Sequence, residues 1–328
     1  MLGDLNGIEE EGFHRWSTGL NGLFFWKGNA RKPILNYVNE KYAIRKIPNP
    51  PNFCPPVPFQ NHRLTFAAAV CADAAVACYN APIPEPHERI GIWDELKKGT
   101  ENRLAWLGKP LGPVVRLAEK QPDLLKGAGK PGAGLLKRLE GDGVGFVADG
   151  NSLKVVSRGA KATQLRFHLR GVNAEGPDLY VSLTARAEQA RGYPTPRARK
   201  LSVSLGNQAG PESTFVGQQS LISSFYYASQ SSKTVDVEFT IEGSESLWIS
   251  SLSVYAHPDM IFRAFENGAV FANPSLHPVV FHLDELQPGR MFRRLMASPN
   301  QDVEVNDGSR IGPELKLGPQ DALFVVST

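Results

Sequence analysis

From about residue 146 onward the chain carries short runs in which apolar and polar residues alternate, and this pattern constrains its fold more than any other feature. Leu165, Phe167 and Leu169 alternate with Arg166, His168 and Arg170, and Leu179, Val181, Leu183 and Ala185 with Tyr180, Ser182, Thr184 and Arg186. Val235, Val237, Phe239 and Ile241 alternate with Asp236, Glu238 and Thr240. Successive side chains of a strand point to opposite faces, so each run has one dry and one wet face, as in antiparallel sheets packed face to face. Adding Leu153 to Val156, Leu201 to Leu205, Leu221 to Ala228 and Leu247 to Val254 predicts about seven strands within roughly 110 residues, a β-sandwich inventory.

The stretch from Ser246 to Asp259 reads as the closing strand of this sandwich. Arg263 to Pro274, with Glu266-Asn267-Gly268 as a turn between two apolar runs, opens a further β-domain. Roughly six short strands are expected between Met260 and Val326, with a turn at Asn306-Asp307-Gly308.

Composition excludes several classes. With 328 residues, 41% hydrophobic and 21% charged, the chain is an ordinary globular one, long enough for two or three domains. A net charge of +3 from nearly balanced acids and bases gives no field for nucleic acid. Cys54, Cys71 and Cys78 contain no CxxC pair, and their odd number argues against a disulfide framework. Cys71 and Cys78 lie in an alanine-rich run and read as small buried residues. No metal and no cofactor are expected. The N-terminus lacks a basic region leading into an apolar stretch, and the run from Leu64 to Tyr79 is interrupted by Asp73 and too short to span a bilayer, so a soluble protein without a signal peptide is expected.

Residues 1–118 have α/β texture. Pro33 to Glu40 reads as a strand with polar residues at its C-terminal end, Arg63 to Asp73 as an alanine-rich helix, and Ala74 to Tyr79 as a continuation or a buried strand. A shaped loop follows: Gly91-Ile92-Trp93-Asp94-Glu95-Leu96, then Trp106-Leu107-Gly108-Lys109-Pro110-Leu111-Gly112-Pro113. Residues 119–140, with Gly127, Gly129, Gly132 and Gly134 among lysines, read as a flexible linker. The domain division is thus 1–118, the linker 119–140, a sandwich at 141–257 and a C-terminal β-domain at 258–328.

Strand, helix, apolar run, Trp-Asp-Glu loop and Leu-Gly-Lys-Pro-Leu-Gly-Pro, in that order, resemble the last two βα units of a glycoside-hydrolase-like (β/α)8 barrel. Residues 263–274 resemble a block near the C-terminus of many glycoside hydrolases, and the sandwich resembles a jelly-roll carbohydrate-binding module in architecture. The fold class this implies is a mainly β multi-domain chain: an α/β partial-barrel remnant, a jelly-roll sandwich and a small C-terminal antiparallel β-domain. A complete barrel takes about 200 residues at minimum, far more than precede the linker, so the catalytic barrel is expected to be incomplete.

The function so implied is that of a carbohydrate-active protein related to glycoside hydrolases that binds a polysaccharide or oligosaccharide, with its hydrolysis left open. The alternative is a non-catalytic glycan-binding or structural assembly protein. No nucleic acid and no membrane are called for, and homo-oligomer formation is left open. Glycosidic cleavage needs two carboxyl groups about 5 to 9.5 Å apart. Glu40, at the C-terminal end of its strand, and Asp94 and Glu95 are the catalytic candidates, a solvated loop glutamate beside Lys41 being the plainer account of the first. Trp93, Tyr193, Tyr226 and Trp248 are the candidate sugar-stacking aromatics, each with core or edge packing as the plainer reading. Trp248, between Leu247 and Ile249, faces outward on the alternation. Arg166, Arg170 and Arg186 on wet faces suit acidic sugars or a mixed, solvated surface.

Overall fold

The computed structural model describes residues 5–10, 15–40, 59–78, 92–126, 133–159, 162–189, 198–206, 210–228, 232–299 and 301–328. The first elements are β1 (Glu9–Glu10), α1 (Trp16–Asn29), β2 (Tyr37–Glu40), α2 (Phe59–Cys71), β3 (Ala75–Cys78), α3 (Asp94–Lys97), β4 (Val115–Arg116) and α4 (Ala133–Leu136). Ten strands follow: β5 (Leu139–Glu140), β6 (Val144–Asp149), β7 (Ser152–Ser157), β8 (Gln164–Asn173), β9 (Leu179–Ala187), β10 (Arg199–Leu205), β11 (Glu212–Val216), β12 (Leu221–Tyr227), β13 (Thr234–Glu242) and β14 (Leu247–Tyr255). The chain ends with β15 (Ile261–Phe265), β16 (Gly268–Asn273), β17 (Val279–His282), α5 (Leu283–Leu286), β18 (Phe292–Arg294), β19 (Arg310–Ile311), β20 (Glu314–Leu317) and β21 (Asp321–Ser327). The protein is mainly β. No helix among the described residues is long and apolar enough to cross a membrane.

Two compact units interleave along the chain. One comprises Met1–Ile8, His14–Leu35 and Ala118–Pro258, and the other Glu9–Phe13, Asn36–Leu117 and Asp259–Thr328. Consecutive segments therefore do not describe the division: α1 belongs with the sandwich, and the C-terminal strands belong with residues 36–117.

In the first unit, two five-stranded antiparallel sheets run β11-β10-β13-β8-β5 and β12-β9-β14-β7-β6. The alternating apolar residues turn inward: Leu165, Phe167, Leu169, Leu179, Val181, Leu183, Val237, Phe239 and Ile241 share one buried core. Phe167 and Phe239 stack with centroids 5.0 Å apart, and Tyr227 Oη crosses between the sheets to donate to Val203 O at 2.6 Å. Burial pushes the Tyr227 phenol well above its ordinary value, so it remains a donor. The expected linker is partly structural. Leu125 and Leu135 enter this core and β5 pairs with β8, while residues 127–132 lie outside the described residues.

A sandwich has open edges, and α1 covers the one formed by β11 and β12. These strands stand first in their sheets, so one side of each lacks a ladder partner. Polar side chains of α1 serve that backbone. Asn21 Nδ2 donates to Ser224 O (2.7 Å) and Ser213 O (3.3 Å), and Asn21 Oδ1 accepts from Ser224 N (3.0 Å). Ser17 Oγ accepts from Tyr226 N at 2.7 Å, and Thr18 Oγ1 from Ser213 N at 2.9 Å. The intervening Leu20 and Leu23 are fully buried.

The second unit combines a parallel three-stranded sheet, β1-β2-β3, with a six-stranded sheet ordered β19-β18-β21-β16-β15-β4 and the pair β17-β20. Helix α2 connects parallel strands β2 and β3 and also packs on β16 and β21. Because it is covered on two sides, it is buried almost all round, and Ala67, Ala68 and Ala69 let sheets approach closely. Its charged groups are paired: Arg63 contacts Asp321 (2.9 and 3.0 Å) and Asp302 (2.5 Å), and Arg263 of β15 binds Cys71 O (2.6 Å) and Asp73 (2.7 Å) at the helix C-terminus. Cys71 is fully buried, and desolvation pushes its thiol up to about 12. The Glu266-Asn267 turn joins β15 to β16, as the turn residues between two apolar runs predict. Gly268 is required there by packing, since a Cβ would stand 2.1 Å from Val325 O.

Replacing Asn21 by Ala leaves the Ser224 peptide groups without partners in a buried seam. Chemical denaturation is expected to show a loss of about 3 kcal/mol; a loss below about 0.5 kcal/mol means α1 does not hold this edge.

Candidate functional site

The sandwich presents two outer sheet faces with different chemistry. On the β11-β10-β13-β8-β5 sheet the wet-face arginines are paired. Arg166 lies 3.5 Å from Glu238, and Arg170 reaches Asp236 at 2.6 Å and Glu140 at 3.0 Å. The Asp236 carboxyl is held below its ordinary range by the Gly171 N–H and by Arg170. This face is a solvated ion-pair lattice.

The face of the β12-β9-β14-β7-β6 sheet has a different centre. Trp248 on β14 stands opposite Arg186 of β9 and Lys154 of β7. The outward alternation holds: Leu247 and Ile249 are fully buried while Trp248 is half-buried on the other face. Its indole Nε1 donates to Asp149 Oδ2 at 2.7 Å, which fixes the ring. The Arg186 guanidinium lies over the ring 4.0 Å from its centroid, and Lys154 Nζ lies 4.9 Å away.

A bulge extends this cluster. The ladder between β14 and β9 slips between Ile249 and Ser251, so Ser250 and Ser251 both reach outward hydroxyls. Ser250 Oγ stands 3.2 Å from Ser152 Oγ on one side, and Ser251 Oγ donates to Thr184 Oγ1 at 2.7 Å on the other. The result is one aromatic ring, two cations, one carboxylate and four hydroxyls on one face. Alternation legibly placed Trp248 and Arg186 outside; Asp149, Lys154 and the paired serines were missed, because register and bulge come from strand pairing.

The remaining candidates are placed elsewhere. Tyr226 is 6% exposed, clustered with Tyr180 and Trp16, and its hydroxyl bonds Asp178, so it serves packing rather than sugar stacking. Tyr193 lies outside the described residues. Trp93 is 2% exposed, stacked on His62 at 4.7 Å and edge-on to Phe66, a core position that offers no sugar face.

Asp94 and Glu95 are likewise interior, at 0% and 3% exposure, which corrects the expectation that they border a cleft. Asp94 accepts from Ser298 N and Oγ, both at 2.7 Å, and Glu95 Oε1 accepts from Asn306 Nδ2 at 2.9 Å. Short helix α3 is thereby tied to the 298–306 loop. Glu40 ends β2, in register with Cys78; its side chain lies outside the described residues. Among the described residues no group of three or more His, Cys, Asp or Glu is arranged to hold a metal ion.

Desolvation raises the Glu95 carboxyl above its ordinary 4.5, against the opposing pull of Arg63 and Asn306. A carboxyl raised on folding stabilises the fold below pH 4.5, and that contribution is lost as pH rises through the folded value. Glu95→Gln keeps the acceptor and removes the charge. Melting curves from pH 4 to about pH 8 should fall less steeply with pH for this variant than for the parent; a steeper fall contradicts the buried-charge account.

No family model matches the chain, and no curated protein matches it. Solved structures align with part of it at low similarity. A carbohydrate-binding module of family 61, solved with β-1,4-galactotriose, is 13% identical over 37% of this chain and 88% of its own, with TM-score 0.27. The C-terminal family 6 module of a laminarinase from Zobellia galactanivorans is 10% identical over 37% of this chain and 94% of its own, with TM-score 0.29. An agarase is 11% identical over 37% of this chain and 23% of its own, with TM-score 0.28.

Proposed function

We propose that this protein binds a glycan through the outer face of the β12-β9-β14-β7-β6 sheet, around Trp248. The observation that carries this reading is an outward, half-buried indole, fixed by Asp149 and bordered by the hydroxyls of Ser152, Ser250, Ser251 and Thr184. Sugars present C–H patches ringed by hydroxyls, and the partly exposed indole, flanked by Arg186 and Lys154 and set beside short polar side chains, gives an apolar border with hydroxyl partners next to it. The rigid sheet holds these groups at fixed spacing, which lowers the entropy lost on binding a chain of sugars.

Binding without cleavage is the form of the proposal. Asp94 and Glu95 are committed to buried hydrogen bonds within the other unit, where a substrate has no access to them. A glycoside-hydrolase role would rest on Glu40 with a second carboxyl beside it.

Affinity electrophoresis and reducing-end release across plant, algal and microbial polysaccharides test this. Trp248→Ala is expected to weaken retention on the bound polymer by about 2 kcal/mol, roughly thirtyfold, with no sugar released by either protein. Unchanged retention in the variant, or release by the parent, overturns the proposal.

A further inference from the structure

Resting on the glycan-binding reading, we infer that the Trp248 face is built for an anionic glycan, with Arg186 and Lys154 receiving a uronate carboxylate or sulfate ester. Four charged or paired features distinguish this face. First, among the described residues neither Arg186 nor Lys154 forms an ion pair, whereas Arg166 and Arg170 on the opposite sheet are both paired with carboxylates. Two cations left without carboxylate partners, in a protein with nearly as many acids as bases, are an unfilled anion preference.

Second, Asp149 is the single carboxylate of the cluster, and it is engaged by the indole N–H. The cluster of Arg186, Lys154 and Asp149 is therefore net positive. Third, the guanidinium sits over the indole at 4.0 Å. A guanidinium held against a ring makes a cation–π contact that uses none of its N–H donors, and those donors can take a planar carboxylate through two parallel hydrogen bonds. Trp248 in this arrangement orients Arg186 as well as bordering the sugar.

Fourth, both cations stand directly opposite Trp248 in the ladder, on the strands that flank it. Their charged ends lie 4.0 and 4.9 Å from the centroid of the same ring, so they are at most about 9 Å apart across β14. That separation suits charges on one sugar or on adjoining sugars of a polyanion, and the Ser250 and Ser251 hydroxyls lie one step along the strand.

The test measures retention of the full chain on three polymers: polygalacturonate for carboxylate, carrageenan for sulfate ester and neutral galactan. Arg186→Gln and Lys154→Gln are each compared with the parent and with Arg166→Gln, which removes one positive charge from the opposite sheet. The expected result is tighter binding of one or both acidic polymers than of galactan, weakened about tenfold by Arg186→Gln and less by Lys154→Gln. Arg166→Gln should leave it unchanged, and raising ionic strength from about 0.05 to about 0.5 M should weaken it further. Arg186→Lys, which keeps the charge without the fork, should fall between parent and Gln. Circular dichroism melting confirms that each variant folds. Equal losses in Arg186→Gln and Arg166→Gln mean a net-charge effect only and overturn the inference. Binding of galactan alone, unaffected by the variants, overturns the inference and leaves the glycan-binding reading standing. Retention on no polymer overturns both.

Discussion

Backbone at the edge of a sheet must find partners, and in this protein that requirement explains why an N-terminal helix belongs to a sandwich built more than a hundred residues later. The sequence places Ser17, Thr18 and Asn21 within one turn and a half of helix, and their oxygen and nitrogen atoms take up the peptide groups of β11 and β12. Side chains of this length normally weaken a helix interior by competing for its backbone. Here they bond to another element instead, while Leu20 and Leu23 fill the seam. The edge strands β11 and β12 thereby find partners on the side where their sheets end.

The second unit solves a related problem with arginine. Helix α2 lies between sheets, so it is small on most sides, and the charge it carries has to be matched inside. Burial works against the Arg63 cation, and Asp321 outweighs it, holding the guanidinium above its ordinary value. Arg263 meets the carbonyl end of the same helix, where the helix dipole is negative. Removing one member of such a buried set leaves an unmatched charge, which costs far more than an exposed pair contributes. The same logic places Asp94 and Glu95 as loop ties: buried carboxylates that accept from Ser298 and Asn306 hold a fold together and are not presented to a substrate.

The two outer faces of the sandwich show how one alternating pattern yields two surfaces. On one sheet every wet-face arginine finds a carboxylate across the ladder, and the charges cancel. On the other, strand order brings Arg186, Trp248 and Lys154 into one row, with the Asp149 carboxylate bonded to the indole. Both follow the same alternation; the residues that strand pairing sets side by side separate them. A surface of the second kind keeps its cations oriented and uncancelled, which is what recognition of a fixed anion requires.

Alternation by itself determined that residues 146–257 form antiparallel strands, which residues turn inward, and that Trp248 and Arg186 face out, because a strand's period of two is local geometry. The Glu-Asn-Gly turn between two apolar runs placed the β15-β16 hairpin. Only the tertiary structure decided which strands become neighbours, and hence that Lys154 and Asp149 meet Trp248, that Ser250 and Ser251 share a face through a bulge, and that α1 joins the sandwich. Tertiary packing likewise turned Trp93, Asp94, Glu95 and Tyr226 from apparent surface chemistry into interior groups. The physical reason is the same in each case: burial and partnership depend on residues distant in the chain, Ser298 and Asn306 for the carboxylates, Trp16 and Asp178 for the tyrosine, and no local spacing records them.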